Sequence, residues 1–295
     1  MEKRIVPHLW FDKSAKEAAT FYTGLFADSR IVSVNSLHGT PSGDVETIDF
    51  VLAGQPFEAI SAGPYFTFTP SFSLTVACET AEEVDRLWSA LSQGGTVMME
   101  LDAYPFSPRY GWVADRYGLH WQLTLSQGIQ PAQKIMTTML FSDRVNGMAE
   151  EAARFYATVF PDSDVSFVHP YEQGEAQSVK AKNNYVAFQL NGLPFAAMDN
   201  GFDVDYTFSE AFSLMVYCDT QAEIDHYWTM LSHVPEAEAC GWVKDRYGVS
   251  WQIVPKSMGE MLAQATEEQK ERITTAFLAM KKLDVAALTA AFEGR

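Results

Sequence analysis

Two copies of one charged motif, D-R-Y-G, at Asp115–Gly118 and Asp245–Gly248 could be taken for an active site. An arginine can bind a carboxylate through a pair of parallel hydrogen bonds, so Arg116 is a candidate ligand-binding residue. A structural role is favoured for the rest of the motif, because glycine permits the positive φ of a tight turn and aspartate bonds to nearby backbone amides. The motif therefore predicts a turn between two strands that could also present Arg116 to a substrate carboxylate.

Three tryptophans are candidates for contact with a ligand: Trp10, Trp112 and Trp121 lie in segments that read as strands. Ligand pockets are usually apolar and aromatic, with a few polar groups that fix orientation. Aromatic residues at strand spacing are more often core residues, so we expect only part of the aromatic set to face a ligand.

The signatures of several other chemistries are missing from the sequence. The cysteines Cys78, Cys218 and Cys240 form no C-x-x-C pair and are too few for a disulfide framework, so buried thiols are expected. No G-x-x-x-x-G-K-[ST] loop and no G-x-S-x-G elbow occurs. Phosphate cradling and serine hydrolysis therefore have no support.

Length and charge narrow the class of protein further. The chain has 295 residues, 47% of them hydrophobic, which suits roughly two domains of ~100–200 residues. It carries 21 Lys and Arg against 38 Asp and Glu, a net charge of −17. Because nucleic-acid affinity comes largely from clustered basic residues, we expect no nucleic-acid partner. No apolar run approaches the ~20 residues that span a bilayer and no export signal is evident, so we expect no membrane association and a cytoplasmic location.

An internal repeat divides the sequence into two units. The repeated blocks are EAATFYTGLFADS (17–29) with EAARFYATVFPDS (151–163), FSLTVACETAEEVDRLW (72–88) with FSLMVYCDTQAEIDHYW (212–228), and GWVADRYGLHWQ (111–122) with GWVKDRYGVSWQ (241–252). Because the blocks recur in the same order, they predict homologous domains at 1–127 and 132–256. The segment 126–132 contains Gly and Pro and is expected to be a linker.

Hydrophobic periodicity predicts the order strand, helix, three strands, twice in each unit. In unit one the expected strands are 5–11, 30–37, 45–53, 56–62, 72–78, 96–102, 110–114 and 119–125. Capping boxes at Ser14-x-x-Glu17 and Thr80-x-x-Glu83 are expected to begin the helices. Unit two is shorter before Gly241. We therefore expect its sixth strand to be trimmed and any pocket there to be more open.

The segment 257–295 is predicted to be a helical tail. Thr266 is expected to cap a helix with Ile273 and Met280 on one apolar face, and Asp284 could cap another. The apolar face must dock somewhere. One of the sheets, the join between the two units and a dimer contact all remain open as docking sites.

The repeated βαβββ order, the EAAxFY helix, the FSLxVxC strand and the closing GWVxDRYGxxWQ resemble the vicinal oxygen chelate superfamily, which includes glyoxalase I, bleomycin-resistance proteins and extradiol dioxygenases. The sequence looks most like the PhnB-like branch, often labelled 3-demethylubiquinone-9 3-methyltransferase, over essentially all of 1–256. The resemblance implies an α+β fold of two tandem glyoxalase-like domains. Each domain is built of paired βαβββ units with mixed sheets, and the helical tail follows.

The resemblance also implies a site. Proteins of this superfamily typically hold a divalent metal in a cup of sheet, with His, Glu or Gln ligands from the first, fourth, fifth and eighth strands. Carried onto this chain, the set is His8, Glu58 and Gln122, with His120 as a further ligand or base, which implies one divalent metal in domain 1. A shift of one residue in register decides whether His8 faces the cup. In unit two only Gln252 of this set remains.

The label of the branch implies methyl transfer, which needs a site for S-adenosylmethionine. None of the 18 glycines forms a G-x-G pair, so the Gly-rich turn of a nucleotide-binding fold is missing and methyl transfer is disfavoured. Two hypotheses remain. The first is a small-molecule-binding protein whose ligand contacts Trp10, Trp112, Arg116 and Trp121. The second is a metal-dependent lyase, isomerase or dioxygenase-like enzyme with its site in domain 1. No catalytic residue can be assigned, and a homodimer is compatible with both hypotheses.

Overall fold

The computed structural model describes residues 5–40, 42–126 and 133–295. Unit one contributes β1 (Ile5–Phe11), α1 (Ala15–Leu25), β2 (Arg30–Thr40), β3 (Gly43–Leu52), β4 (Gln55–Ser61), β5 (Phe72–Cys78), α2 (Ala81–Ser92), β6 (Thr96–Tyr104), β7 (Ser107–Ala114) and β8 (His120–Leu125). This order agrees with the order predicted from periodicity. Apart from Ser126, the predicted linker lies outside the described residues.

Unit two repeats the order without a counterpart of β6, and it leads directly into the tail. Its elements are β9 (Ile135–Phe141), α3 (Ala149–Val159), β10 (Asp164–Pro170), β11 (Asn183–Leu190), β12 (Leu193–Asp199), β13 (Phe212–Cys218), α4 (Gln221–Leu231), β14 (Trp242–Lys244) and β15 (Ser250–Pro255). The tail consists of α5 (Lys256–Gln264), α6 (Glu267–Leu278) and α7 (Val285–Glu293). Within the described ranges, none of the helices combines the length and the apolar character needed to cross a membrane.

Neither of the two sheets is built from a single sequence unit. Sheet A has the strand order β14-β15-β13-β1-β4-β3-β2, and sheet B has the order β10-β11-β12-β9-β5-β8-β7-β6. Each sheet therefore joins the first half of one unit to the second half of the other. The predicted α+β class with mixed sheets and a helical tail is confirmed.

The two units meet through reciprocal antiparallel strand pairs. β1 pairs with β13, and the equivalent strands β9 and β5 pair in the same way. The equivalent residues Phe72 and Phe212 stack on each other with ring centroids 4.4 Å apart. Because both repeats use the same strands and the same aromatic residue, the two halves are related by an approximate two-fold axis.

One face of each sheet packs against helices. On β1, Leu9 and Phe11 belong to the main apolar core together with Tyr22 of α1. Successive residues of a strand point to opposite faces. His8 and Trp10 therefore face away from α1, which settles the register of β1 that the sequence left open.

The D-R-Y-G motif forms a buried structural turn. Asp115 accepts hydrogen bonds from the Tyr22 hydroxyl at 2.7 Å, from Trp121 Nε1 at 2.8 Å and from two backbone amides of its own turn. Gly118 has a φ of 86°. Asp245 makes the same set of four bonds in unit two. The structural interpretation of the aspartate and the glycine is confirmed.

The helix caps agree with the sequence at some helices and not at others. Thr80 accepts a hydrogen bond from the amide three residues on, and Thr266 forms a complete capping box with Gln269. The capping box predicted at Ser14 is wrong, because Ser14 makes no side-chain cap bond. The first amide of α1 instead donates to Ser61 Oγ from β4, at 3.1 Å.

The tail packs on sheet A, in the first of the three docking sites considered. Val6, Met215 and Val254 of the sheet form an apolar cluster with the tail. The buried tail residues of this cluster are Met261, Ile273, Leu283 and Leu288. Since the sheet side of this contact faces away from α1, the tail covers the face that carries His8.

The shortening of unit two has the opposite effect from the one predicted. Between α4 and β14 the described chain has only a short 3-10 turn, Pro235–Ala237, where unit one has β6 and most of β7. The expected open pocket is wrong, because the tail fills the space. The amides of Cys240 and Gly241 donate to the carbonyl oxygens of Met280 and Lys281.

Candidate functional site

Each sheet presents a second face, turned away from α1 to α4. We call this face cup A in sheet A and cup B in sheet B. Cup A combines β1 and β4 of unit one with β13 and β15 of unit two, and cup B combines β9 and β12 with β5 and β8. A set of side chains in either cup therefore comes from both sequence units.

The positions that the family resemblance associates with ligands lie side by side in cup A. The register pairs His8 with Glu58 on one side and with Ser213 on the other. Gln252 Nε2 donates to Ser213 Oγ at 3.0 Å, and Ser213 Oγ lies 3.4 Å from His8 Nδ1. The imidazole is thus linked through the Ser213 hydroxyl to the Gln252 amide, with the Glu58 carboxyl group beside it on the neighbouring strand.

The equivalent positions of cup B carry less basic side chains. Thr138 occupies the place of His8, and it is paired with Ala196 and Ser73. Gln122 Nε2 donates to Ser73 Oγ at 2.8 Å, and the Tyr110 hydroxyl donates to Gln122 Oε1 at 2.8 Å. Both the oxygen and the nitrogen of the Gln122 amide are therefore engaged in hydrogen bonds within the cup.

The structure does not bring the four predicted metal ligands together. His8 and Glu58 lie in sheet A, and His120 and Gln122 lie in sheet B. The cause is the exchange of halves between the units, since a cup is not formed by one sequence unit. Gln252, which the sequence assigned to unit two, is the glutamine that shares a cup with His8.

The donor chemistry of cup A does not fit a metal centre of the expected kind. Catalytic zinc sites usually take three protein ligands. Cup A offers His8 and Glu58 as ionisable donors, and Gln252, whose Nε2 bonds to Ser213, would add only a weaker amide oxygen. In the part of the chain that the structure describes, no three His, Cys, Asp or Glu residues group as a metal site would require.

Burial sets the protonation of the two ionisable groups of cup A. The half-buried Glu58 accepts a hydrogen bond from the Tyr217 hydroxyl. Burial raises the pKa of Glu58 from 4.5 to about 7, while the bond from Tyr217 acts in the opposite direction. Burial also lowers the pKa of His8 to about 4. At neutral pH cup A therefore holds a neutral imidazole beside a carboxyl group that exists in both forms.

Aromatic rings line the exposed end of cup A. Trp10 lies 5.0 Å from Phe66 and 6.3 Å from Trp242, measured between ring centroids. The Trp242 ring meets the His8 imidazole edge to face at 5.8 Å. Tyr65, at 63% exposure, stands at the outer edge of this group. Along the face of cup A, the aromatic rim is followed by His8 and Glu58 and then by the apolar sheet residues that the tail covers.

Two nitrogen-bearing rings meet edge to face in cup B. Trp112 and His120 have ring centroids 6.2 Å apart. Within the described part of the chain, neither Trp112 Nε1 nor His120 Nδ1 has a hydrogen-bond partner. Burial lowers the pKa of His120 to about 4, so its imidazole is neutral at pH 7.

Two predicted ligand-binding residues lie outside both cups. Trp121 is fully buried in the core, and its Nε1 donates to Asp115, so it presents no surface to a ligand. Arg116 is exposed beside α1, with its guanidinium 4.1 Å above the Phe21 ring and bonded to the Tyr117 hydroxyl. Arg116 therefore lies on the helix side of the sheet, remote from the side chains of cup A.

Tyr217 of cup A is not among the residues predicted from the sequence. It belongs to unit two, whereas the predicted site residues belong to unit one. The repeat contained a signal for Tyr217: Glu58 and Tyr217 stand where the other copies have Ala196 and Ala77. The two polar residues contact each other, and both equivalent positions carry alanine.

The strand order of the two sheets and the repeated βαβββ units place the chain in the vicinal oxygen chelate class of protein folds. Within that class, the model of the family described as 3-demethylubiquinone-9 3-methyltransferase matches residues 3–124 and 133–254. The chain therefore belongs to this family. Each match covers one of the two repeat units.

Solved structures resemble the chain at two levels. A PhnB protein from Bacillus cereus, whose name carries the same methyltransferase description, is 42% identical over 42% of this chain and 99% of its own, with a TM-score of 0.39. Glyoxalase I from Zea mays is 9% identical over 86% of this chain and 94% of its own, with a TM-score of 0.54. The first is similar to one unit, and the second shares the fold. No curated protein matches the chain.

Proposed function

We propose that the protein binds a small molecule in cup A, between the aromatic rim and the tail. The observation that carries this proposal is the Glu58 carboxyl, which is held half-buried beside His8 at the inner end of an aromatic rim formed by Trp10 and Trp242. A few polar groups at the bottom of an aromatic cleft are typical of ligand sites. Both cup A tryptophans are partly exposed, so a ligand can reach their faces.

The side chains favour a ligand with an aromatic part and a cationic amine. Tryptophan faces attract cations, and a buried carboxylate pairs with a cation that enters beside it. The net charge of −17 would also attract a cation towards the protein. Such a ligand would hold Glu58 in its ionised form, because an adjacent positive charge favours the carboxylate.

The test is a calorimetric titration of the full chain with benzylamine and with its uncharged counterpart benzyl alcohol. The substitutions are taken from the other cup. Glu58→Ala and Trp10→Leu give cup A the residue types that cup B has at the equivalent positions Ala196 and Leu140. Each is expected to weaken benzylamine binding at least about tenfold, the equivalent of 1.4 kcal/mol. Trp112→Phe in cup B is the control and should leave the affinity unchanged. Undiminished binding in both cup A variants would contradict the proposal, as would equal binding of the alcohol.

A metal-dependent reaction is not proposed, because the donors of cup A do not fit a metal centre. Methyl transfer is not proposed either, since the glycine pattern of the sequence offers no nucleotide-binding turn.

We also propose that the protein acts in the cytoplasm without a nucleic-acid partner. The absence of a nucleic-acid partner is supported by the charge, since 38 acidic residues outnumber 21 basic ones and a phosphate backbone repels such a surface. A homodimer stays a prediction. Sedimentation in the analytical ultracentrifuge would measure the mass of the particle in solution and so test it.

A further inference from the structure

Cup B has polar features that a ligand in cup A leaves unexplained. We propose that cup B is a second ligand site, for an uncharged aromatic molecule that carries a hydrogen-bond acceptor such as an amide carbonyl. The proposal does not depend on the function of cup A, because it rests on other side chains in the other sheet.

The first observation is a pair of buried nitrogen atoms without partners. His120 is only 5% exposed, and neither its Nδ1 nor Trp112 Nε1 finds a hydrogen-bond partner among the described residues. A buried polar group left without a hydrogen-bond partner destabilises the folded state. A ligand that brings an acceptor to the Trp112 N–H recovers part of this cost. His120 shares the cup face of β8 with Gln122, two residues along the strand.

The second observation is that the neighbouring polar groups are already paired. Gln122 is bonded at both ends, to Ser73 and to Tyr110. The hydroxyls of Thr75 and Thr138 bond to each other at 2.6 Å. These bonds leave the Trp112 and His120 nitrogens as the groups that an incoming molecule can satisfy.

The third observation is the kind of residue at the centre of cup B. Thr138 and Ala196 stand where cup A has His8 and Glu58. A charged ligand buried there would lose its hydration without gaining a counter-ion, which is costly. The centre of cup B therefore selects against both cations and anions.

The fourth observation is access. Met136, Thr75 and Thr124 of cup B are half-buried, whereas the residues at the same places in cup A are buried under the tail. The Trp112 ring is itself half-buried. Of the two rings in contact, Trp112 is therefore the one that an incoming molecule meets first.

The experiment follows the indole N–H signals of the full-length, nitrogen-15-labelled protein. The signal of Trp112 is assigned with Trp112→Phe, and the probes are benzamide, benzoate and benzylamine. Benzamide is expected to shift the Trp112 signal until it saturates, and the two charged probes are not. His120→Ser, which places the cup A residue Ser250 in cup B, should weaken benzamide binding at least about tenfold. Trp242→Phe in cup A is the matched control and should leave it unchanged.

Two outcomes would overturn the proposal: no shift of the Trp112 signal up to the solubility limit of benzamide, or an equal shift with benzoate. If His120→Ser disturbs the other indole signals, Trp112→Phe replaces it, because the phenyl ring fills the site without an N–H donor. Saturation transfer to benzamide is then measured and should be lost. Shifts of the Trp10 and Trp242 indole signals on addition of benzylamine report on cup A separately. Failure of one proposal is therefore distinguishable from failure of the other.

Discussion

Cup A and cup B are built from equivalent strands, yet they present different surfaces. Val6 pairs with Met215 in cup A, and Met136 pairs with Thr75 in cup B. The residues of the cup A pair are 4% and 7% exposed, whereas both residues of the cup B pair are half-buried. The difference lies in the tail, which covers cup A and leaves cup B open.

The sequence of the two cups matches this difference in cover. Val254 lies under the tail in cup A, and Thr124 stands at the same place in cup B. Covering an apolar side chain such as Val254 with a helix stabilises the folded state, and covering a threonine stabilises it less. The two copies of the framework thus differ in two ways: cup A has a carboxyl group and is covered by the tail helices, whereas cup B has an uncharged centre and no such cover.

The largest expected effect on stability concerns the buried aspartate turn that both halves share. Asp115→Ala leaves Tyr22, Trp121 and two backbone amides without their acceptor. At roughly 1–3 kcal/mol for each unsatisfied donor, the free energy of unfolding should fall by at least about 4 kcal/mol. Urea denaturation measures this value, and Asp245→Ala is the matched variant. Losses that differ widely between the two would show that the halves do not share one framework.

A smaller effect should separate the cups. Ile273 of the tail is fully buried against cup A, so Ile273→Ala should lower the free energy of unfolding of the tail by about 2–5 kcal/mol. Hydrogen exchange should then rise in α6 and at Val6 and Met215. The amides of Met136 and Thr75 in cup B serve as the internal control. Increased exchange there as well would contradict the assignment of the tail to cup A alone.

Glu58 provides a pH test of the same comparison. Its pKa is about 7 in the folded protein and 4.5 when unfolded, so the folded state binds the proton more tightly. Stability should therefore fall as pH rises from about 4.5 to 7, by on the order of 2 kcal/mol. Thermal unfolding of Glu58→Gln should lack this decline.

His8 and His120 act with the opposite sign. Burial lowers the pKa of each from 6.5 to about 4, so the unfolded state binds the proton more tightly between these values. Their contribution to stability rises with pH over that window. The difference between wild type and Glu58→Gln removes these terms, because both proteins contain both histidines. A difference that does not vary with pH would contradict the assigned pKa of Glu58.

The fold was largely predictable from local signals, and the candidate site was only partly so. The order of strands and helices along the chain, the Thr80 cap and the tail helix after Thr266 follow from periodicity and capping residues. These signals act over a few residues. The Ser14 cap was wrong because its place is taken by Ser61, from a strand 46 residues away. Local patterns do not record such a contact.

The grouping of site residues was lost for the same physical reason. His8 and Ser213 are 205 residues apart, and they meet because β1 pairs with β13. Gln122 and Gln252 occupy equivalent places in the repeat, so nothing near either residue indicates which one joins His8. The pairing of halves is a property of the long-range strand contacts, and it decides the composition of each cup.

The smallest expected effect tests whether Glu58 and Tyr217 act as a pair. Tyr217→Phe removes the hydroxyl that donates to Glu58, which should cost about 1 kcal/mol of stability. Because that bond favours the charged carboxylate, its loss should raise the pKa of Glu58 and move the decline in stability to higher pH. Thermal unfolding across the pH range measures both changes.

Cup B offers the matched control for this last variant. The Tyr110 hydroxyl donates to Gln122, an amide that does not titrate. Tyr110→Phe should therefore cost a similar amount of stability, about 1 kcal/mol, at every pH. A pH-dependent loss in Tyr110→Phe, or a pH-independent loss in Tyr217→Phe, would mean that the two tyrosines play the same role. The electrostatic difference between the cups would then not reside in the pair of Glu58 and Tyr217.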